Sequence, residues 1–194
     1  AKFAKITEMV RQRYGLRVHK FTRKELVSDG WGREVFHLLN ATYKDLYGFS
    51  ELSQRQIDKL VNDYIKIADL NLVTAIMDGD KMVGFGVTFP SFSRTLQRTR
   101  DGRFLPFGWW ELLKTLKWHN TDTVDLLLIG VLPEYRGKGA NALIFDDLIR
   151  QFQRYGFEWA ETGPQMESNE GVLSQWQYLD ATIHRRHRCY RKKL

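Results

Sequence analysis

A single cysteine, Cys189, in 194 residues excludes an internal disulfide framework and fits a reducing compartment, so a cytoplasmic location is expected. In that setting the sequon Asn40-Ala41-Thr42 is accidental. No stretch reaches the roughly 18 consecutive apolar residues of a membrane-spanning helix, and the N-terminus lacks the succession of basic, apolar and small residues that marks a signal peptide. Internal repeats and low-complexity segments are absent. His119, His184 and His187 come without metal-ligand spacing, so no metal is expected. Cys189 lies among basic residues that would lower its pKa, but no partner marks it as a nucleophile. Acid is also in deficit: 30 Lys and Arg face 23 Asp and Glu, a net charge of +7. That balance favours anionic partners, among them a phosphorylated small molecule, nucleic acid or an acidic membrane surface.

What is present is an ordinary globular composition, 43% hydrophobic and 27% charged. The length suits one α/β domain, or one domain with an insertion, and is enough to bury a sizeable core. The chain starts at Ala1 rather than Met, as expected of a processed chain or a part of a longer one.

The most informative stretch is Val124 to Arg150, VDLLLIGVLPEYRGKGANALIFDDLIR. Val124 to Leu132 is a nearly unbroken apolar run, as in a central strand covered on both faces, and Pro133 ends it. Beyond Gly139, the apolar residues Leu143, Ile144, Leu148, Ile149 and Phe152 recur at helical spacing. The turn from Glu134 to Gly139 therefore feeds a helix N-terminus. Its unpaired N–H groups and positive dipole end suit a pyrophosphate, and glycines at 137 and 139 allow close approach to the backbone. A Walker A loop is excluded, because six residues separate Gly130 from Gly137 and Lys138 precedes Gly139 rather than Ser or Thr. The dinucleotide pattern GxGxxG is absent as well.

The run Val131-Leu132-Pro133-Glu134-Tyr135-Arg136-Gly137-Lys138-Gly139-Ala140-Asn141 strongly resembles the acyl-CoA-binding signature of the GNAT superfamily of N-acetyltransferases. Arg136 and Gly139 fill its first and fourth positions, and Asn141 stands where the family prefers Gly or Ala. The resemblance implies an α/β (α+β) fold with a central mixed, mostly antiparallel sheet, flanking helices and an insertion before the central strand. It also implies acetyl-CoA or another acyl-CoA as donor and a primary amine as acceptor. Backbone N–H groups of Arg136, Gly137, Lys138, Gly139, Ala140 and Asn141 would hold the pyrophosphate. Ile129, Gly130 and Val131 would pair with the pantetheine arm like an added strand, with an N–H near Gly130 or Val131 facing the thioester carbonyl. Leu126 to Val131 and Phe157 to Thr162 would be the two parallel strands that splay apart at that point. Asn169 resembles the asparagine that opens the next helix and contacts pantetheine. Seven residues later, where the family often places a tyrosine that protonates the leaving thiolate, stands Trp176, which is no acid at neutral pH.

In chain order, residues 1–15 read as a basic helical extension and 16–194 as the transferase domain. A first strand is expected at Leu16 to Phe21, then a capping box at Thr22 and Glu25 opening a helix that breaks near Ser28 to Gly32 and resumes through Glu34 to Tyr47. A helix capped by Ser53 follows to Ala68, and a hairpin turns at Asp78-Gly79-Asp80 between strands at Leu72 to Met77 and Lys81 to Phe89. In the second strand Val83, Phe85, Val87 and Phe89 are expected on one face. Residues 90–120 form an insertion whose Phe104, Leu105, Phe107, Trp109 and Trp110 supply a lid, an acceptor pocket or a wall for an acyl chain. A helix is expected at Trp110 to Trp118. Ser168 is expected to cap a helix with Val172, Leu173, Trp176 and Leu179 on one face, and Ala181 to Leu194 to form one or two basic edge strands.

For proton management three residues are candidates: Asp125 at the start of the central strand and Glu161 on its neighbour as bases, and Tyr178 as the acid. Two alternatives stay open. One is a non-catalytic acyl-CoA-binding module, suggested by Asn141 and Trp176. The other is a transferase of the duplicated GNAT type that uses aminoacyl-tRNA, suggested by the basic surface.

Overall fold

Five strands lie side by side in sequence order: β1 (Arg17–His19), β2 (Val73–Asp78), β3 (Lys81–Pro90), β4 (Thr123–Val131) and β5 (Trp159–Thr162). The computed structural model that shows them describes residues 2–99, 103, 108–188, 190 and 192, with side chains from residue 6 onward. The pairs β1–β2, β2–β3 and β3–β4 are antiparallel. Helices precede and interleave the strands: α1 (Lys2–Tyr14), α2 (Arg23–Val27), α3 (Trp31–Tyr43), α4 (Gln54–Ile67), α5 (Ser93–Arg98), α6 (Gly108–Trp118), α7 (Ala140–Tyr155) and α8 (Glu170–Leu173). The chain forms two compact units, 1–161 and 162–194.

In the first unit the sheet is covered on both faces. One cluster gathers Ile76, Val83, Val124 and Val131 beneath Leu143, Ile144 and Leu148 of α7, which accounts for the apolar run of β4. The other gathers Ala75, Met82 and Phe85 beneath Leu38 and Leu39 of α3. The packing leaves no room at Gly86, where an added Cβ would lie 2.6 Å from Ile144 Cγ2. The basic helix α1 belongs to the first core too. Its Val10 is only 2% exposed and joins the cluster under α7.

Local signals placed these elements well. Thr22 and Glu25 form the expected capping box at α2, Ser53 and Gln56 form another at α4, and the hairpin turns at Gly79. The helix break at Ser28 to Gly32 is real, although α3 stops at Tyr43 rather than Tyr47. One expectation fails on register. The β2–β3 pairing moves from Ile76↔Gly84 to Met77↔Met82, so Val83 has no partner across the ladder. This bulge turns Val83 into the α7 cluster, while Phe85 and Val87 pack on the α3 side. The large residues of β3 therefore do not share one face.

The insertion contains α5 and α6, joined by a buried hydrogen bond of 2.6 Å between the hydroxyls of Thr95 and Thr115. Phe104, Leu105 and Phe107 lie outside the described residues. His119, just after α6, takes a left-handed φ of 49°. Its ring stacks on Tyr155 at 4.1 Å, and its Nε2 lies 3.0 Å from Asp69 Oδ2, off the hydrogen-bond direction. It thus packs as a core-edge histidine.

In the second unit, Asn169 rather than Ser168 is the N-cap of α8, and the helix passes after one turn into a 3₁₀ segment, Ser174–Tyr178. The tighter winding keeps Leu173, Trp176 and Leu179, three residues apart, on one side, and with Val172 all are half-buried, as expected. Among the described residues from 181 onward there is no strand. Six Lys or Arg in 14 residues repel one another and offer no apolar alternation for a sheet to bury. Cys189 lies outside the described residues.

Candidate active site

The site is built where β4 stops pairing regularly. The β3–β4 register runs from Val87↔Leu128 to Thr88↔Leu126, which leaves Leu127 as an extra residue, 50% exposed. Beyond this bulge β4 presents Ile129, whose backbone is bound by a side chain. Tyr43 Oη donates to Ile129 O at 3.0 Å, and Ile129 N–H donates to the same hydroxyl at 3.3 Å. In a strand the N–H and C=O of one residue point to the same side, so both groups are turned away from β3. At the other end of β4 the N–H groups of Glu158 and Trp159 both donate to Asp122 O, at 2.8 and 3.0 Å. β5 therefore meets β4 at its start, and a hydroxyl satisfies the β4 edge at Ile129. Gly130 follows in a confined place. A Cβ there would lie 2.6 Å from the Phe85 ring and 2.7 Å from Thr42 Oγ1.

The turn after β4 begins with a 3₁₀ segment, Pro133–Tyr135, and ends at Gly139, the N-cap of α7. No side chain caps that helix, and its first N–H groups have no acceptor within it. Gly137 and Gly139 have φ values of 78° and 83°. For Gly137 the requirement is conformational, since a Cβ would meet nothing within 4 Å. For Gly139 it is also steric, because a Cβ would lie 2.4 Å from Val10 Cγ2. Ala140 is buried and Asn141 is half-buried on the first turn of the helix.

The turn is positively charged. Lys138 Nζ lies 4.5 Å, and Lys81 Nζ 5.7 Å, from the centroid of the Tyr135 ring. The ring is fixed by a hydrogen bond of 2.7 Å from its hydroxyl to Asp78, which raises the tyrosine pKa. Arg136 turns back over β4, with long contacts from Nε to Val131 O (3.4 Å) and from its guanidinium to Thr42 O (3.5 Å). Uncapped N–H groups, left-handed glycines and nearby cations are what a pyrophosphate needs. A strand edge held only by a hydroxyl suits an extended amide chain.

Of the proton-transfer candidates, Asp125 lies on β4 opposite Phe89, upstream of the bulge. Burial raises its carboxyl pKa, repulsion from Glu161 adds to the rise, and a hydrogen bond to Ser91 opposes it. Glu161 is exposed at the end of the first unit. Tyr178 and Asn169 belong to the second unit, where Tyr178 is 64% exposed. The Trp176 indole N–H donates to Gln165 Oε1 at 2.7 Å. The structure thus brings Ile129 to Asn141 together in one continuous surface, with Asp125 and Glu161 close enough to feel each other's charge. Two residues that sequence reading missed are Thr42 and Tyr43. Tyr43 continues the apolar stripe of Val35 and Leu39 at four-residue steps, and a tyrosine at the end of such a stripe carries a polar group that needs a partner. Burial raises its pKa, so it is a protonated phenol at neutral pH.

No family model matches the chain. Among curated proteins it is 26% identical over 168 residues to Protein YghO of Escherichia coli K12 and 21% identical over 166 residues to the bacterial ceramide synthase of Caulobacter vibrioides. The alignments cover 84% and 81% of this chain but only 42% of each relative, so the chain spans less than half the length of the curated relatives it matches. Among solved structures, an aminoglycoside acetyltransferase from an uncultured soil metagenomic sample, in complex with sisomicin, superposes with a TM-score of 0.55 at 12% identity, covering 95% of this chain and 99% of that one. AAC(6')-Iy in complex with a bisubstrate analogue containing CoA gives 0.53 at 14% identity, covering 92% and 99%. The ribosomal-protein-S18-alanine N-acetyltransferase of Escherichia coli gives 0.51 at 13% identity, covering 85% and 76%. The chain has the GNAT fold. The mixed α/β architecture and the mostly antiparallel five-stranded sheet agree with it, and the GNAT-like signature falls on the β4–α7 turn. Among the described residues there is no cluster able to hold a metal, and no helix is long and apolar enough to cross a membrane.

Proposed function

We propose that the first unit is an acyl-CoA-dependent N-acyltransferase that passes an acyl group directly from the thioester to a primary amine. The observation that carries this reading is the continuity of the β4 edge at Ile129 with the uncapped start of α7. Together they offer a strand partner for pantetheine and an anion site for the pyrophosphate. The acyl-CoA supplies an activated carbonyl and a thiolate leaving group. Backbone N–H groups of Gly137, Gly139, Ala140 and Asn141 hold the diphosphate, that of Lys138 being bound to Tyr135 O, with the Lys138 and Arg136 side chains adding charge. Ile129 and Val131 align the arm, and an N–H near Gly130 receives the developing oxyanion. Asp125, directly or through a water, takes the proton from the incoming ammonium. Its raised pKa brings it nearer the operating pH. Tyr43, already placed at Ile129 and protonated, donates a hydrogen bond to the departing sulfur. It takes the role that Trp176 cannot fill, for which Tyr178 remains the other candidate. Glu161 keeps Asp125 basic by repulsion, and Asn169 remains a candidate contact to pantetheine.

The names of the relatives bear on the acceptor. Aminoglycoside and ribosomal-protein-alanine acetyltransferases move a small acyl group, whereas a ceramide is a fatty amide. All share attack of an amine on an activated acyl carbon. For this chain the ceramide synthase relative favours a longer acyl group and a lipophilic amine. Calorimetric titration with acetyl-CoA, palmitoyl-CoA and free CoA tests the donor site, with Arg136→Ala/Gly137→Asp as control. Gly137 is chosen because it clashes with nothing. Micromolar binding lost in the control supports the site. Thiol release with a panel of amines then separates an enzyme from a binding module. Absence of binding to every CoA species refutes the proposal.

A further inference from the structure

Helix α6 buries Gly108 and Thr115 fully, the Thr115 hydroxyl bonded to Thr95 of α5, with Leu112, Leu113 and Leu116 half-buried. The side turned to solvent carries Trp109, Trp110 and Trp118, 42%, 40% and 54% exposed. Trp110, Lys114 and Trp118 follow at four-residue steps, and Lys117 flanks this row on the side of Trp110. The three indoles are in edge contact, at 5.6 Å for Trp109–Trp110 and 5.8 Å for Trp110–Trp118. Lys114 Nζ lies 5.9 Å from the Trp110 ring and pairs with Glu111, and Lys117 Nζ lies 5.4 Å from the Trp118 ring. Leu96 of neighbouring α5 is 52% exposed as well. A shallow depression of about 370 Å³ opens between Trp110, Lys114, Trp118 and Asn120.

A face with this much aromatic surface is not what a helix presents to bulk water. Its charge identifies what covers it. Lys114 and Lys117 lie on α6 itself, Lys114 paired with Glu111, and the sequence from 93 to 118 carries a net of +4 of the chain's +7, although Arg94 is engaged by Asp122. A second copy of this face would bring cation against cation. The negatively charged surface of a bilayer supplies both complements: an apolar interior for the indole rings, a polar boundary for their N–H groups, and anionic headgroups within reach of lysine ammoniums on flexible stems.

We propose that the outer face of α6, with Leu96 of α5, is a docking surface for an anionic lipid bilayer, on which the protein lies without spanning it. The inference stands apart from acyl transfer. A protein with no catalytic activity would dock equally well.

Flotation of the purified full chain with vesicles of phosphatidylcholine containing about 30% phosphatidylglycerol, at low salt, tests it. Wild type is expected to float with these vesicles, to float several-fold less with phosphatidylcholine alone, and to be released by high salt. Each basic residue near such a surface is worth about fivefold in partitioning, so Lys114→Gln/Lys117→Gln should bind about 25-fold more weakly. Trp110→Ser/Trp118→Ser should lose at least about tenfold, from apolar area no longer buried. Melting temperatures within a few degrees of wild type confirm that both variants fold. Three results overturn the proposal: no flotation with anionic vesicles, flotation of both folded variants equal to wild type, or flotation independent of lipid charge. It also falls if wild type is a dimer on a sizing column and Trp110→Ser/Trp118→Ser a monomer, which would assign the face to a second copy.

Discussion

The two left-handed glycines of the β4–α7 turn have similar φ values but different surroundings, and that difference sets a measurable asymmetry. Replacing either by alanine places an L-residue in the left-handed region, at a cost of about 1–2 kcal/mol. At Gly137 nothing more is added, since the new methyl meets no atom within 4 Å. At Gly139 the methyl would sit 2.4 Å from Val10 Cγ2. Val10 cannot give way easily, because it is β-branched, 2% exposed and part of the core under α7. Overpacking of that kind adds about 1–3 kcal/mol. Gly137→Ala should therefore lower the unfolding free energy by about 1–2 kcal/mol, and Gly139→Ala by about 2–5 kcal/mol. Urea unfolding followed by circular dichroism at 25 °C resolves the difference as a shift in midpoint at constant slope. Val10→Ala supplies the cycle. It is destabilising alone, yet it makes room for the methyl at 139, so the double variant should recover about 1–3 kcal/mol relative to additivity. Equal costs at 137 and 139, or strict additivity with Val10→Ala, would refute the claim that α1 packing fixes glycine at 139.

Three further outcomes follow from the same geometry. Asp125→Asn should raise the melting temperature at pH 7 and lose that advantage near pH 4. Burial raises the wild-type carboxyl pKa, so the stability of its protonated form is present below the ordinary aspartate range and lost as pH climbs through the raised value; an equal shift at both pH values would contradict this. Tyr43→Phe leaves the half-buried N–H and C=O of Ile129 without the hydroxyl, a loss of about 1–3 kcal/mol in the free chain. Thermal shifts should show the deficit shrinking with saturating CoA, and a deficit unaffected by CoA would separate Tyr43 from the proposed cofactor edge. Lys20, its pKa lowered chiefly by burial, holds Asp147 of α7 at 2.5 Å and the backbone carbonyls of Asn71 and Val73. Lys20→Met should cost about 2 kcal/mol, below the range for fully buried pairs because both partners keep some solvent contact, and adding Asp147→Leu should restore only part of it, because the buried Thr74 hydroxyl also donates to Asp147. Denaturant midpoints of the two variants decide the matter.

Much of the fold was legible because its signals are local. A capping box at Thr22 and Glu25 needs residues only three apart, the hairpin announces itself in Asp78-Gly79-Asp80, and the amphipathic period of α7 repeats over four turns. What failed were features fixed by a partner strand or by a weak local preference. The Val83 bulge is a property of the β2–β3 ladder, because nothing in the alternation of β3 alone says where one residue will be skipped. The C-terminal residues have β-branched and aromatic members, Thr182, Ile183 and Tyr190, that read as strand. Sheet propensity expresses packing on a half-buried surface, and a run this basic offers little to bury.

The site divides in the same way, and the division bears on how such sites are read. The half proposed to hold the diphosphate is a turn of consecutive residues, Arg136 to Asn141, whose glycine spacing carries its backbone geometry, so the sequence displays it directly. Its other half depends on a hydroxyl 86 positions away from the strand that it holds. Tyr43 looks in the sequence like the end of an apolar stripe, and its packing beside the α3 cluster bears that out. Only its hydroxyl departs from that role, and a hydroxyl confined beside a strand edge must find a donor and an acceptor there. Ile129 supplies both because the bulge at Leu127 and the contact of β5 with only the start of β4 leave its backbone groups facing outward. The same geometry that leaves the edge open for an extended ligand therefore requires a residue to satisfy it when none is bound. A side chain that satisfies such an edge stands beside whatever displaces it, which is the ground for proposing Tyr43 as a hydrogen-bond donor to the leaving group.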